Sequence, residues 1–330
     1  MKIVSGKGFL LAIAILGCLA PLVIRTEYQL TLFLMAGINI IYVLGLNIVT
    51  GVTGLFSFCH PTFLGIGAYT SALLMMRLGF PFWVSLPSAG LVAAAFGALL
   101  GLTTLRLRGH YLAITTMFFG TILYQVMMNW VSLTRGAAAL MGIPSPNPIH
   151  LGSLLSINFE DRIYYYYLVL IFVLLMVWLI QEILRSRVGD AFLAIREDEI
   201  SARVLGIDTF KYKVLAFTLS SFYAGIAGAF YAHSEGLIAP HMFSVHESVT
   251  PYVMMIIGGL GNIPGGVLGS IVMTIAPEYL RSMAEYRMVI YGALVVIIVV
   301  FMPGGLGKGG SQVLHFFRNL FAGGPKVEDH

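Results

Sequence analysis

Charge is what this sequence has least of. Asp, Glu, Lys and Arg make up 10% of its 330 residues, against about 25% in an ordinary soluble domain. The hydrophobic share is 58%, above the usual ~45–50%, so a water-soluble globule is excluded. Cysteine is nearly absent. Cys18 and Cys59 both lie inside apolar runs, which argues against a disulfide framework and a zinc site. The 15 acids stand at the ends of apolar runs or between them, so the intramembrane carboxylate of a proton-driven carrier is missing. A phosphate-cradling G-x-x-x-x-G-K-[ST] loop is missing too. Its nearest approach, Gly307-Lys308, is followed by Gly309 and has Met302 where the first glycine belongs. Energy for uphill transport therefore has to come from another polypeptide, unless the protein is a passive channel or secondary carrier. Ser57, Cys59 and His60 stand close together, but no acid beside them orients the histidine for nucleophilic work. His60 is expected to cap a helix or anchor a loop, and no catalytic residue, metal or cofactor is expected. The net charge of +4 is scattered, forms no basic face for nucleic acid, and reads as topology-setting charge.

What is present is a series of apolar runs, each near the ~20 residues needed to span a bilayer. They fall at about 9–24, 29–49, 54–76, 82–103, 110–130, 164–182, 214–235, 248–262, 264–280 and 286–302. The expected fold is all-α, a polytopic membrane bundle of about ten transmembrane or re-entrant helices. Lys2 and Lys7 before the first run imitate a signal peptide, and Ile15-Leu16-Gly17-Cys18 a lipoprotein site, but Leu16 fits poorly there. The first helix is expected to be retained. An N-in/C-in arrangement puts Lys2, Lys7, Arg106, Arg108, Arg185, Arg187, Arg196, Arg203, Lys211, Lys213, Lys308, Arg318 and Lys326 inside. It leaves Arg25, Arg77, Arg135, Arg162, Arg281 and Arg287 outside, as the positive-inside rule favours. The expected organisation is a transmembrane domain over 1–305, with a periplasmic loop at 131–162 and a cytoplasmic loop at 183–213, then a cytoplasmic tail at 306–330. The loop at 131–162 is polar and held by Pro144, Pro146 and Pro148; in the tail, Phe316, Phe317, Arg318 and Leu320 suit the membrane surface.

The 183–213 loop is charged and helix-prone. Read as one helix it has two apolar stripes, Ala191, Ala194, Ile195, Ala202 and Leu205 on one side and Leu193, Ile200 and Val204 on another. Arg196, Glu197, Glu199 and Arg203 lie between them. Two apolar edges need two surfaces, one on the protein's own membrane domain and one on a cytoplasmic partner, unless the segment is only an interfacial helix. Glu199 and Arg203 at i, i+4 support it. Glycines number 37, and Gly97/Gly101, Gly261/Gly265 and Gly265/Gly269 have the small-xxx-small spacing of close helix packing. Gly65 and Gly67, beside Tyr69, and Gly258, Gly259 and Gly261 are expected to break apolar runs. Broken helices free backbone groups that line a path or are buried in a packing corner, and both readings stand at this point. Asn39, Asn47, Gln125 and Asn129 are expected to form interhelical hydrogen bonds, and Tyr164 to Tyr167 an aromatic belt.

Several segments together resemble one family. These are Gly51-Val52-Thr53-Gly54-Leu55-Phe56-Ser57 with Phe63-Leu64-Gly65-Ile66-Gly67-Ala68-Tyr69; Arg106-Leu107-Arg108-Gly109-His110-Tyr111-Leu112; and Ala194-Ile195-Arg196-Glu197-Asp198-Glu199 with Ala202 and Leu205-Gly206-Ile207. Gly258-Gly259-Leu260-Gly261, Gly265-Gly266, Pro277-Glu278, Leu280-Arg281 and Pro303-Gly304-Gly305-Leu306 follow in order. Over roughly 30–306 the chain resembles the branched-chain amino acid ABC transporter permeases, LivM type. The resemblance implies an ABC importer permease fold in a bacterial inner membrane, translocating leucine, isoleucine or valine. It also implies partners: two cytoplasmic ABC ATPase subunits, a homologous second permease and a periplasmic substrate-binding protein. ATP-driven closure would then act on 189–207, with Ala194, Arg196, Glu197, Asp198, Glu199, Arg203 and Gly206 as coupling residues. Thr134-Arg135-Gly136-Ala137-Ala138-Ala139 stands where the family usually has a glycine-rich turn, and His110 replaces a common acid. Those departures leave urea, short amides or another small amino acid as alternative substrates.

Overall fold

The computed structural model describes residues 7–23, 26–104, 109–151, 155–279 and 292. In chain order its helices are α1 (Lys7–Val23), α2 (Glu27–Leu46), α3 (His60–Leu78), α4 (Phe82–Thr104), α5 (His110–Asn129), α6 (Val131–Thr134) and α7 (Arg162–Arg185). They continue as α8 (Arg187–Glu197), α9 (Glu199–Val204), α10 (Thr209–Glu235), α11 (Val249–Gly258) and α12 (Ile263–Tyr279). Nine of the ten apolar runs thus fall on described helices. The tenth, 286–302, lies outside the described residues, as do Arg106-Leu107-Arg108, Leu280-Arg281, Pro303 to Leu306 and the tail 306–330. Among the described residues, five helices are long and apolar enough to cross a bilayer: α2 with its extension to Val52, α4, α5, α7 and α10. Side-chain oxygens set several helix starts by accepting an orphan N–H. Thr26 caps α2 through Gln29, Asp161 caps α7 through Ile163, and Asp208 caps α10 through Lys211.

The core forms where α10 lies against both α3 and α4. Gly225 of α10 makes this possible, because a methyl group there would run into the Ala89 carbonyl and the Gly90 Cα of α4. A methyl group on Gly67 of α3 would in turn overlap the Gly225 backbone. Small residues let helices approach to backbone contact, and dispersion rather than hydrophobicity then holds them in lipid. Gly65 and Gly67 accordingly lie inside an uninterrupted α3, contrary to the break expected of them. Within a helix, neighbours supply what glycine lacks, and here the neighbours are Phe243 and Gly225. Gly258 likewise packs between Gly265 and Gly269, which accounts for that spacing.

Polar groups pin the bundle. Asn39 donates to Thr274 Oγ1 at 3.0 Å, an interhelical bond as expected, but among the described residues Asn129 bonds Gln125 of its own helix, with both side chains on the outside. The tyrosine run exceeds an aromatic belt. Tyr164 points outward, whereas the Tyr165 hydroxyl donates to the Phe230 carbonyl at 2.7 Å and the Tyr166 hydroxyl to the Gly17 carbonyl at 2.9 Å. Successive residues on a helix face different directions, so four adjacent tyrosines serve two environments.

The 131–162 segment adds two short antiparallel pairs to a fold expected to be wholly α: β1 (Leu140–Met141) with β4 (Leu237–Ile238), and β2 (Ile149–Leu151) with β3 (Leu155–Ile157). Arg135 and Ala139 both have positive φ, 62° and 56°, so the turn keeps a backbone suited to glycine. The segment is tied down at His233. Its Nδ1 faces the Pro144 carbonyl at 2.6 Å and its Nε2 the Ser71 hydroxyl at 2.8 Å. A carbonyl only accepts, so Nδ1 carries the proton and Nε2 accepts from Ser71. Asn147 accepts from the Phe82 N–H at 2.8 Å beside it. His233→Leu leaves the Pro144 carbonyl without this donor, an orphan costing about 1–3 kcal/mol. The expected outcome is a lower thermal midpoint in detergent and faster limited proteolysis within 131–162; unchanged cleavage would refute the latch.

Candidate functional site

The site builds from a defect in α2. After Leu46 the helix widens into a π-turn, Asn47–Val52, and the chain then leaves helical geometry until His60. Such a passage frees N–H and C=O groups that lipid cannot satisfy, and side chains from distant elements meet them. The Tyr252 hydroxyl accepts from Ser57 N at 2.9 Å and lies 3.1 Å from the Ser57 carbonyl. Thr116 Oγ1 accepts from Phe58 N at 3.2 Å, and Ser248 donates to the Phe58 carbonyl at 2.7 Å. His60 is buried, as an anchor should be. Nε2 donates to the Tyr42 carbonyl at 3.2 Å, Nδ1 lies 3.3 Å from the Ser220 hydroxyl, and the ring stacks on Tyr42 with centroids 4.8 Å apart.

A second break lies between α11 and α12, where Gly259 and Gly261 have φ of 101° and 76°. These values are costly for any residue with a Cβ. Asn47 joins the two breaks. It is fully buried, its Oδ1 accepts from Gly261 N at 2.9 Å, and its Nδ2 donates to the Asn262 carbonyl at 3.3 Å. Gly258, Gly259 and Gly261 therefore gather with Asn47 and Gly51. Gly65, Gly67 and Tyr69 do not join them. Tyr69 stands edge-on to Phe243 with centroids 6.0 Å apart, and its hydroxyl has no hydrogen-bond partner among the described residues.

The 183–213 segment meets this double break from one side. It is two helices rather than the single one expected, because Asp198 is extended, with φ −159°, and its carboxylate caps α9 by accepting from Ser201 N at 2.6 Å. An interruption resets the helical phase. Ala191, Ile195 and Ala202 of one stripe are buried, whereas Leu205, assigned to the same stripe, is exposed together with Ile200 and Val204 of the other. Ala194 is half-buried and Glu197 exposed. Glu199 pairs with Arg203, as expected, and also with Lys213 Nζ at 2.6 Å. Gly206 has φ 83° and ends α9, with the Ile207 N–H returning to the Ala202 carbonyl at 3.0 Å. Arg196 turns inward, donating from Nη1 to the Gly51 carbonyl at 2.6 Å. Sequence pattern alone does not single out Tyr252, Lys213 or Gly225; only for the last was there a signal, the small-residue run Ala224 to Ala229.

Residues 28–299 match the family described as branched-chain amino acid transport system / permease component. The chain belongs to this family. The permease is 36% identical over 320 residues to the high-affinity branched-chain amino acid transport system permease protein LivM of Salmonella typhimurium, covering 92% of this chain and 75% of that one. It shares the same identity and coverage with LivM of Escherichia coli K12. It is 28% identical to LivH of Salmonella typhimurium, over 80% of this chain and 89% of that one. No solved structure matches the permease. With several helices able to span a bilayer, this family member is a multi-pass membrane protein and a transport component rather than an enzyme.

Proposed function

We propose that the permease is the membrane subunit of an ATP-driven importer of leucine, isoleucine or valine in a bacterial inner membrane, N-in and C-in, with transmembrane residues 1–305 and a cytoplasmic tail at 306–330. Two ABC ATPase subunits, a homologous second permease and a periplasmic binding protein complete the assembly. Hydrolysis takes place on the ATPases, and α8 and α9 receive the resulting motion. One observation carries the coupling role. Ile200, Val204 and Leu205 are 61%, 83% and 77% exposed, on the segment whose opposite edge is packed on the bundle. Apolar side chains gathered on a charged extramembrane helix suit a protein partner, and α7, with 24 residues and about 36 Å long, is long enough for a bilayer to lie between that patch and the 131–162 segment. Val204→Asp with Leu205→Asp should leave membrane insertion intact, because these side chains touch little of the bundle, while capture of the ATPase subunits and uptake of labelled leucine are both lost. Normal capture and uptake would overturn the coupling assignment.

A further inference from the structure

Arg196 differs from its neighbours in the coupling segment. Glu197 beside it is exposed, whereas Arg196 is half-buried and enters a notch made by three glycines. Its Nη1 donates to the Gly51 carbonyl at 2.6 Å. A Cβ built on Gly54 would lie 3.1 Å from Arg196 Cγ, and one on Gly261 2.8 Å from Nη1. The guanidinium therefore occupies space that side chains at those positions would fill. Gly51 and Gly54 belong to the interrupted end of α2, and Gly261 to the α11–α12 break. One side chain of α8 thus touches both interruptions, and Asn47 already holds them to each other.

We propose that Arg196 is a positioning residue that transmits displacement of the coupling segment to the two helix breaks, rather than a contact for the ATPases. The inference rests on the importer reading above. A guanidinium suits the task because it stays charged and presents several N–H donors in a rigid plane, so it can hold one carbonyl strongly while resting on a second backbone. A charge-assisted bond to a carbonyl is also stronger than a neutral one. Moving α8 then carries the Gly51 carbonyl with it and, through the guanidinium resting on Gly261, the α11–α12 break as well. Coupling of this kind travels through contiguous contacts with a rigid element at each end.

The test uses the complete transporter in proteoliposomes: this chain, its sister permease, the ATPases and the binding protein. In Arg196→Gln, ATPase capture and ATP hydrolysis should stay within about twofold of the parent, while leucine uptake per ATP falls about tenfold, the size expected for lost coupling between sites. Arg196→Lys should recover part of the loss. Unchanged uptake in Arg196→Gln would overturn the proposal. So would loss of capture in step with uptake, which would make Arg196 a docking residue, or an equal fall of hydrolysis and uptake, which would make it merely structural. A measurement on the unsubstituted Arg196 background covers the case in which the variants fail to insert. Spin labels at Ser201→Cys and Leu260→Cys should keep a constant separation through the ATP cycle, while the distance from Leu260→Cys to a label at Ile122→Cys changes. Separation of the first pair would overturn the proposal. Retained ATPase capture by the Val204→Asp and Leu205→Asp variant would count against the docking reading alone, since the label pair reports on Arg196 independently.

Discussion

Gly67→Val should leave almost no folded permease to purify. Its new Cβ would fall on the carbonyl, Cα and carbonyl carbon of Gly225, and a backbone cannot rotate aside as a side chain can. Overpacking costs about 1–3 kcal/mol where neighbours give way. Here α3 would have to separate from α10 along a seam of direct backbone contact, so the loss should lie above that range. Gly65→Ala is the milder comparison, because its methyl group would meet Cβ, Cγ and Cδ2 of Phe243, so that relief needs a shift of that side chain rather than of the α10 backbone. Monodispersity and thermal midpoint of fluorescent fusions check both variants. A Gly67→Val protein that elutes and melts like the parent would show that the α3–α10 contact is looser than described.

Glu199→Ala should be the most damaging single change outside the membrane helices. Lys213 is 2% exposed, and Glu199 is its ion-pair partner at 2.6 Å. Removing one member of a buried pair costs about 3–5 kcal/mol, because the remaining charge stays uncompensated, whereas replacing both by apolar groups is often neutral. Glu199→Ala should therefore lower the thermal midpoint sharply and detach α9 from α10, and adding Lys213→Met should restore most of it. A double variant no better than the single one would mean that the carboxylate acts chiefly through Arg203 and the backbone. Glu199 is 20% exposed, so the lower end of the range is expected.

Much of this was legible in the residues. Long apolar runs located nine described helices, although the run at 54–76 begins before α3 and that at 248–262 overruns α11, because the bilayer sets length and composition only for a full span. The pairing of Glu199 with Arg203 depends on local sequence, and it is present. Contacts between distant segments were not readable. Gly65 and Gly67 looked like helix breakers because their partners, Phe243 and Gly225, are far away in sequence. The phase of the coupling segment failed at Asp198, where a local cap outweighed continued periodicity and moved Leu205 from the buried edge to the exposed one. Arg196 groups with Glu197 among the coupling residues, and nothing local shows that three glycines elsewhere leave a notch for it.

The glycine seam between α3, α4 and α10 also bears on the temperature response of the protein. In a membrane each helix is formed before it packs, so the backbone entropy of glycine is already lost when α3 meets α10. Glycine has no rotamers to freeze, and the contact of Gly67 with Gly225 immobilises nothing further. A seam of leucines would give up side-chain freedom of about 0.5–1 kcal/mol per residue on packing, an opposing term that grows with heat. The α3–α4–α10 unit should for that reason hold together at temperatures where helices joined by long side chains have begun to part. Heating would then loosen α1 and α7 at its margin first and leave a three-helix remnant as the last ordered part of the permease.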